Sequence, residues 1–264
     1  MPQMVISTYL CGDSLLTSLV VLVAFKRKVN PMNFKGRAER LKDEDLPRAG
    51  ARIGVGEDEI HAVLDVEARG RGFDSQGRPA MLFEPHIFYR QLSGSKRDEA
   101  VSKGLARRSW VRDYPSDSYP RLLEAMAIDK EAALRSASWG MGQIMGFNCT
   151  LVGYPTAEAM VRDFLDSEGK HLEAMVTFII NTNLAKHLRD HNWRGFARGY
   201  NGGGYEANNY HVKLEQAYNR WAGIPDTPFT PKGIDTSEPS QEAPSGGGGS
   251  LLSVILAILK AIFK

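Results

Sequence analysis

The sequence predicts a mainly α domain of the α+β type with one small β region, on three observations. Helical patterns rich in Ala, Leu, Met and Glu follow one another from Arg121 to Trp221, separated by short Gly or Asn breaks. One stretch, GRGFDSQGRP from Gly70 to Pro79, has the turn-residue density of a small hairpin, and the AMLF after it reads as a short strand. A content of 42% hydrophobic and 24% charged residues over 264 residues suits one soluble globular domain with tails.

Residues 1–31 read differently from the rest. Leu15–Phe25 is an apolar run ended by Lys26, Arg27 and Lys28, too short for a hydrocarbon core that needs about 20 residues. Its cations follow the run, whereas a secretory signal carries them before it, and no small-residue cleavage site is present. Two readings stay open, a signal-arrest anchor or an extension outside the fold, and the folded domain is taken as 32–224. The charged stretch 33–52 predicts a short lead-in helix. GVGEDEIHAVLDVEA then opens the main pattern: Glu57, Asp58 and Glu59 suit the positive end of a helix, while Ile60, Val63, Leu64 and Val66 give it a buried face. That helix must end near Gly70. Ser93–Trp110 is polar and helical, and YPSDSYP is a loop pinned by Pro115 and Pro120. Helices are expected over 121–136, 156–168, 170–181, 184–191, 193–198 and 209–221.

Beyond this domain the composition shifts. Residues 225–250 form a Pro, Gly and Ser-rich linker with too little apolar surface to fold. Residues 251–264, LLSVILAILKAIFK, predict an apolar helix with Ser253, Ala257, Lys260 and Lys264 as a narrow polar stripe. At about 1.5 Å per residue it reaches roughly 21 Å, short of a bilayer. It either lies in a membrane interface, packs on a partner, or is an appended tail.

A formal net charge of +2 is too weak to argue for nucleic acid. Cys11 and Cys149 are far apart, with no His or Cys at metal-ligand spacing, which suggests neither a disulfide framework nor a metal site. His86, His171, His187, His191 and His211 share no spacing and read as ordinary residues.

Carboxylates carry the candidate chemistry. Glu67 falls in the last turn of the main helix before a glycine-rich bend, where apolar neighbours favour the protonated form that a general acid needs. The plain alternative is a solvated Glu at a helix end. Glu84 lies between Phe83 and Pro85 and is the candidate second acid, or else a buried Glu paired with Arg78 or Arg90. Asp74 is its rival, although GFDSQG is also a typical Asx turn. In WGMGQIM two glycines permit close backbone approach, with Trp139 placed to stack on a sugar ring and Gln143 to bond an N-acetyl group. The alternative there is a helix crossing that needs small residues. ARGYNGGGY puts Tyr200 and Asn201 before a glycine bend that lines the same cleft or simply ends a helix. No strand precedes it and no Lys-Ser/Thr follows, so phosphate binding is not indicated.

VEARGRGFDSQGRPAMLFEPHIFY, SASWGMGQIMGFN and FARGYNGGGY, in that order, resemble the lysozyme-like superfamily of goose-type lysozymes and soluble lytic transglycosylases. More closely, they resemble the phage-type N-acetylmuramidase domain of endolysins, over about Asp43 to Ile224. The resemblance implies a lysozyme-like fold and hydrolysis of the β-1,4 bond between N-acetylmuramic acid and N-acetylglucosamine in peptidoglycan. By motif, Glu67 matches the general acid and Glu84 a second acid, while Trp139, Gln143, Tyr200 and Asn201 match cleft-lining positions. A carboxyl separation of about 5 to 5.5 Å suits a retaining route, and roughly 6.5 to 9.5 Å leaves room for water. No cofactor is implied. Peptidoglycan strands are the expected partner of a monomeric enzyme held in the cytoplasm until released to the wall or periplasm, with membrane contact through the terminal segments. A lytic transglycosylase, in which the muramyl 6-hydroxyl replaces water, and a non-catalytic peptidoglycan-binding or membrane-targeting module are the rival readings.

Overall fold

The computed structural model describes residues 32–68 and 71–229. The chain divides into two compact units, Met1–Asn33 and Phe34–Lys264, and every element below belongs to the second. The expectations for 1–31 and 251–264 and for most of the linker lie outside the described residues.

Helix α1 spans Asp45–Ile53 and stops at Gly54, whose left-handed φ of 72° lets its N–H return to Gly50 O. Helix α2, Glu57–Ala68, starts with three acids at its positive end. The Glu59 carboxylate accepts the Gly56 N–H at 3.0 Å, half of a capping box. Ile60, Ala62, Val63 and Leu64 are buried along it. A tight turn follows, closed by a bridge between Phe73 and Pro79, and leads into strand β1, Met81–Phe83. Helix α3, Pro85–Gln91, begins with proline at the position where a missing N–H costs nothing, and α4 covers Gly94–Ser102. After a long loop come α5, Tyr119–Ile128, and α6, Lys130–Arg135, whose cap Asp129 accepts from Ala132 N–H at 3.0 Å.

Strands β2, Ala137–Trp139, and β3, Ile144–Met145, complete an antiparallel sheet of order β1-β2-β3, with Met81 opposite Trp139 and Trp139 opposite Ile144. A helix crossing was the alternative reading of this segment. It cannot continue a helix because Gly140 and Gln143 both adopt left-handed φ, 68° and 48°. Gly140 also has no room for a side chain: a Cβ there would sit 2.7 Å from the ring of buried His171.

The remainder is helical, as expected: α7 Ala157–Phe164, α8 Glu168–Asn181, α9 Ala185–Arg189, α10 Trp193–Asn201 and α11 Tyr210–Trp221. Thr156, Ser167 and Asn192 cap α7, α8 and α10 with side-chain oxygens. The core runs through α8, where Met175, Val176 and Ile179 are buried with Phe164 of α7. Buried Glu168 ties three distant parts together, accepting the N–H groups of Gly72 and Leu41 and pairing with Arg40. Helix α11 lies against α2: Trp221 stacks on His61 with centroids 3.7 Å apart and donates its indole N–H to Asp65 at 2.9 Å. That packing brings the end of α10 and the start of α11 to the last turn of α2. No helix of the described residues is long and apolar enough to cross a membrane.

Candidate active site

Glu67 stands in the last turn of α2, facing α10 and α11. Asn201, the last residue of α10, donates its amide N–H to Glu67 Oε1 at 2.7 Å. Burial raises the carboxyl's pKa from 4.5 to about 7, against the opposing pull of the Asn201 hydrogen bond and the Lys213 ammonium. Glu67 as a residue is half-buried by surface area. Tyr200 donates its hydroxyl to Gly142 O at 2.7 Å, joining α10 to the β2–β3 turn. Burial first, then the neighbouring Glu67 charge, holds Tyr200 and Tyr210 above the ordinary phenol range, so both stay protonated donors. Asn201 Oδ1 is buried without a hydrogen-bond partner, an unused acceptor beside the acid. A helix-terminal glycine serves this junction: Gly202 takes a φ of 73° directly after Asn201.

Of the residues singled out by sequence, the structure brings together Glu67, Tyr200 and Asn201. Glu84 occupies another cluster. It caps α3, receives the Tyr114 hydroxyl at 3.0 Å on each carboxylate oxygen, and faces His86 Nδ1 at 3.2 Å. Neither Arg78 nor Arg90 is its partner; Arg78 pairs with Asp74 and Asp117. Glu67 bonds to Asn201, and Glu84 to Tyr114 and His86, with no hydrogen bond between the two acids.

Three further expected residues sit away from the Glu67 junction or are engaged locally. Trp139 lines no cleft: it has no exposed surface, stacks on Phe34 and gives its indole N–H to Leu134 O at 3.0 Å. Gln143 braces its own turn: Ser138 Oγ donates to its oxygen at 2.8 Å and its nitrogen donates to Gly140 O at 2.9 Å. Asp74 acts as an Asx turn, accepting from the backbone of Gln76 and Arg78 and from Arg78 Nε. The residues that sequence reading missed are Lys213 and Tyr210. Their signal is weak: three-residue spacing on a helix whose buried positions Leu214 and Ala217 place Tyr210 and Lys213 near the same seam.

The WGMGQ turn still serves the site, through backbone rather than side chains. A Cβ on Gly142 would lie 2.9 Å from Met175 Cβ and 3.1 Å from the Tyr200 hydroxyl. Gly142→Ala should therefore cost about 1–3 kcal/mol by overpacking and reduce turnover by moving Tyr200. Thermal unfolding and wall-clearing rates of the variant check both.

Among the described residues no group of three His, Cys, Asp or Glu is placed to hold a metal ion. What the arrangement can do is donate a proton near neutral pH from a carboxyl flanked by polar donors, the task of a general acid. The comparisons point the same way. A family model for N-acetylmuramidase matches residues 57–222. The crystal structure of the Burkholderia AP3 phage endolysin is similar at 39% sequence identity and a TM-score of 0.63, over 72% of this chain and 73% of that one. No curated protein matches the chain. With Glu67, Tyr200 and Asn201 gathered at one junction of a mainly helical α+β fold, the chain belongs to the N-acetylmuramidase family and is a peptidoglycan hydrolase of the endolysin type.

Proposed function

We propose that Glu67 is the general acid that cuts the β-1,4 bond between N-acetylmuramic acid and N-acetylglucosamine. The observation that carries this reading is its carboxyl, pushed up to about 7 by burial at a junction where Asn201 donates to it and the residue stays half-buried. Protonated at neutral pH, it delivers a proton to the glycosidic oxygen as the bond breaks through an oxocarbenium-like state. Asn201 orients the carboxyl through its N–H. Tyr200 ties the Gly142 turn to the end of α10 beside the acid. Glu84 enters as a positioning residue instead of the second acid, because its carboxylate is engaged by Tyr114 and His86. Water completes the reaction in this proposal. Mass spectrometry of digested purified peptidoglycan tests it: ordinary reducing ends are expected, and 1,6-anhydromuramyl ends would replace hydrolysis with transglycosylation.

The enzyme acts in this proposal as a monomer, made in the cytoplasm and then released to the wall. The apolar stretch 251–264 meets a membrane surface, a reading that rests on sequence alone. Deleting 251–264 should leave activity on purified walls unchanged and weaken association with liposomes; equal liposome binding would make the segment incidental.

A further inference from the structure

The loop between α4 and α5 is pinned at both ends and open in the middle. At one end Arg107 N–H donates to Pro85 O at 3.2 Å, and the Arg107 guanidinium meets Asp113 at 2.9 Å. Asp113 is held in turn by Arg121, through its carboxylate at 3.5 Å and its backbone oxygen at 3.0 Å. At the other end the Tyr114 hydroxyl donates to Glu84 and accepts the Trp110 indole N–H at 2.8 Å. Between these pins Arg108, Ser109, Trp110, Val111 and Arg112 are all exposed. Trp110 keeps 51% of its surface open and Val111 50%. Neither Arg108 nor Arg112 forms an ion pair among the described residues.

We infer that this tip is a second contact for peptidoglycan, in which Trp110 stacks on a pyranose ring while Arg108 and Arg112 pair with carboxylates of the stem peptides. The inference rests on peptidoglycan being the substrate. A sugar presents a face of C–H groups that suits a flat, immobilised aromatic surface, and little entropy is lost when the ring is already fixed. Trp110 is fixed by a bond from its N–H edge to Tyr114 while about half of its surface, 51%, stays open. An interfacial tryptophan uses that same N–H toward the wet headgroup side, and here it is turned inward. The apolar surface of the tip amounts to Trp110 and Val111, too narrow for an apolar face laid into a bilayer. Arg108 and Arg112, exposed and each two positions from Trp110 in the chain, complement an anionic polymer, and a guanidinium presents a planar fork to carboxylates. Glu84 then has a role without touching substrate: it orients Tyr114, which orients Trp110.

The test uses the full chain, in two backgrounds. With Glu67→Gln to prevent cutting, Trp110→Ala should bind purified insoluble peptidoglycan about tenfold more weakly, with Trp110→Phe recovering part of the loss. In the active chain the same change should raise KM about tenfold with kcat altered by less than about twofold. Arg108→Ala with Arg112→Ala should weaken binding to intact peptidoglycan more than binding to uncharged oligomers of N-acetylglucosamine. Glu84→Ala should reproduce the KM effect of Trp110→Ala, and Glu84→Gln, which keeps an acceptor for Tyr114, should lose less. A kcat that collapses equally in both Glu84 variants would restore it as the second acid and overturn its positioning role. Unchanged peptidoglycan binding by Trp110→Ala overturns the proposal, as does a loss confined to phosphatidylglycerol vesicles, which would make the tip a membrane contact. Wild-type protein that fails to cut peptidoglycan would count against the hydrolase reading; wild-type protein that cuts, beside a Trp110→Ala that binds equally well, sinks the platform alone.

Discussion

Glu67→Gln is expected to lower kcat by about 10²- to 10⁴-fold, the usual contribution of a positioned general acid, while leaving the protein at least as stable as wild type. The amide can accept the Asn201 N–H, so the local geometry survives; what disappears is the transferable proton. Stability follows from the sign of the pKa shift. The folded state holds the Glu67 proton more tightly than the unfolded chain does, with a pKa of about 7 against 4.5. Below about pH 4.5 the carboxyl is neutral in both states and costs nothing. Between there and pH 7 the unfolded chain ionises first, so stability falls as pH rises. Above pH 7 the full cost of a desolvated carboxylate is present, on the order of 3 kcal/mol. Gln carries no such cost. Its advantage in thermal unfolding should be absent at pH 4 and fully developed at pH 8. Release of reducing ends measures the other half. Retained turnover would remove Glu67 from the chemistry, and a variant less stable than wild type at pH 8 would mean that its charge is not penalised by burial.

The position of Glu67 was legible because local rules govern it. Ile60, Leu64 and Glu67 recur at helical spacing, so the acid sits on the stripe that α2 buries. Tyr200 and Asn201 were legible for a similar reason: a helix that ends at a run of glycines must present its last side chains at an edge. Trp139 was misplaced because its fate depends on a partner distant in sequence. Pairing with Met81 across the sheet turns its ring toward Phe34 and the core, and no periodicity within WGMGQIM reports that pairing. Glu84 and Tyr114 meet over thirty positions of chain, and Lys213 reaches Glu67 only because α11 folds back along α2. Asp74 was readable as an Asx turn from GFDSQG alone, since its acceptors and donors are all within four residues.

The second large effect lies in the pH profile. Because kcat/KM reports the free enzyme, and Glu67 must be protonated to act, kcat/KM should fall about tenfold per pH unit above about 7, leaving roughly a hundredth of the plateau at pH 9. The neighbouring groups do not produce that limb. Tyr200 and Tyr210 are both held above the ordinary phenol value of 10.0 by burial and by Glu67, and buried His171 is pushed down to about 4, well below it. The limb should therefore move when the surroundings of Glu67 change. Lys213 favours the ionised carboxylate by its charge and Asn201 by its hydrogen bond. Removing either raises the Glu67 pKa further and shifts the alkaline limb upward. Lys213→Met is the cleaner of the two, since Lys213 is exposed and its loss leaves no buried group unpaired. Lys213→Arg, which keeps the charge, should hold the limb near the wild-type position. Profiles of kcat/KM from pH 5 to 9 for wild type, Lys213→Met and Lys213→Arg distinguish the cases. An upward shift in Lys213→Met alone ties the limb to Glu67 by electrostatics, whereas three superimposed profiles would assign it to a different group and leave the buried carboxyl without its catalytic signature.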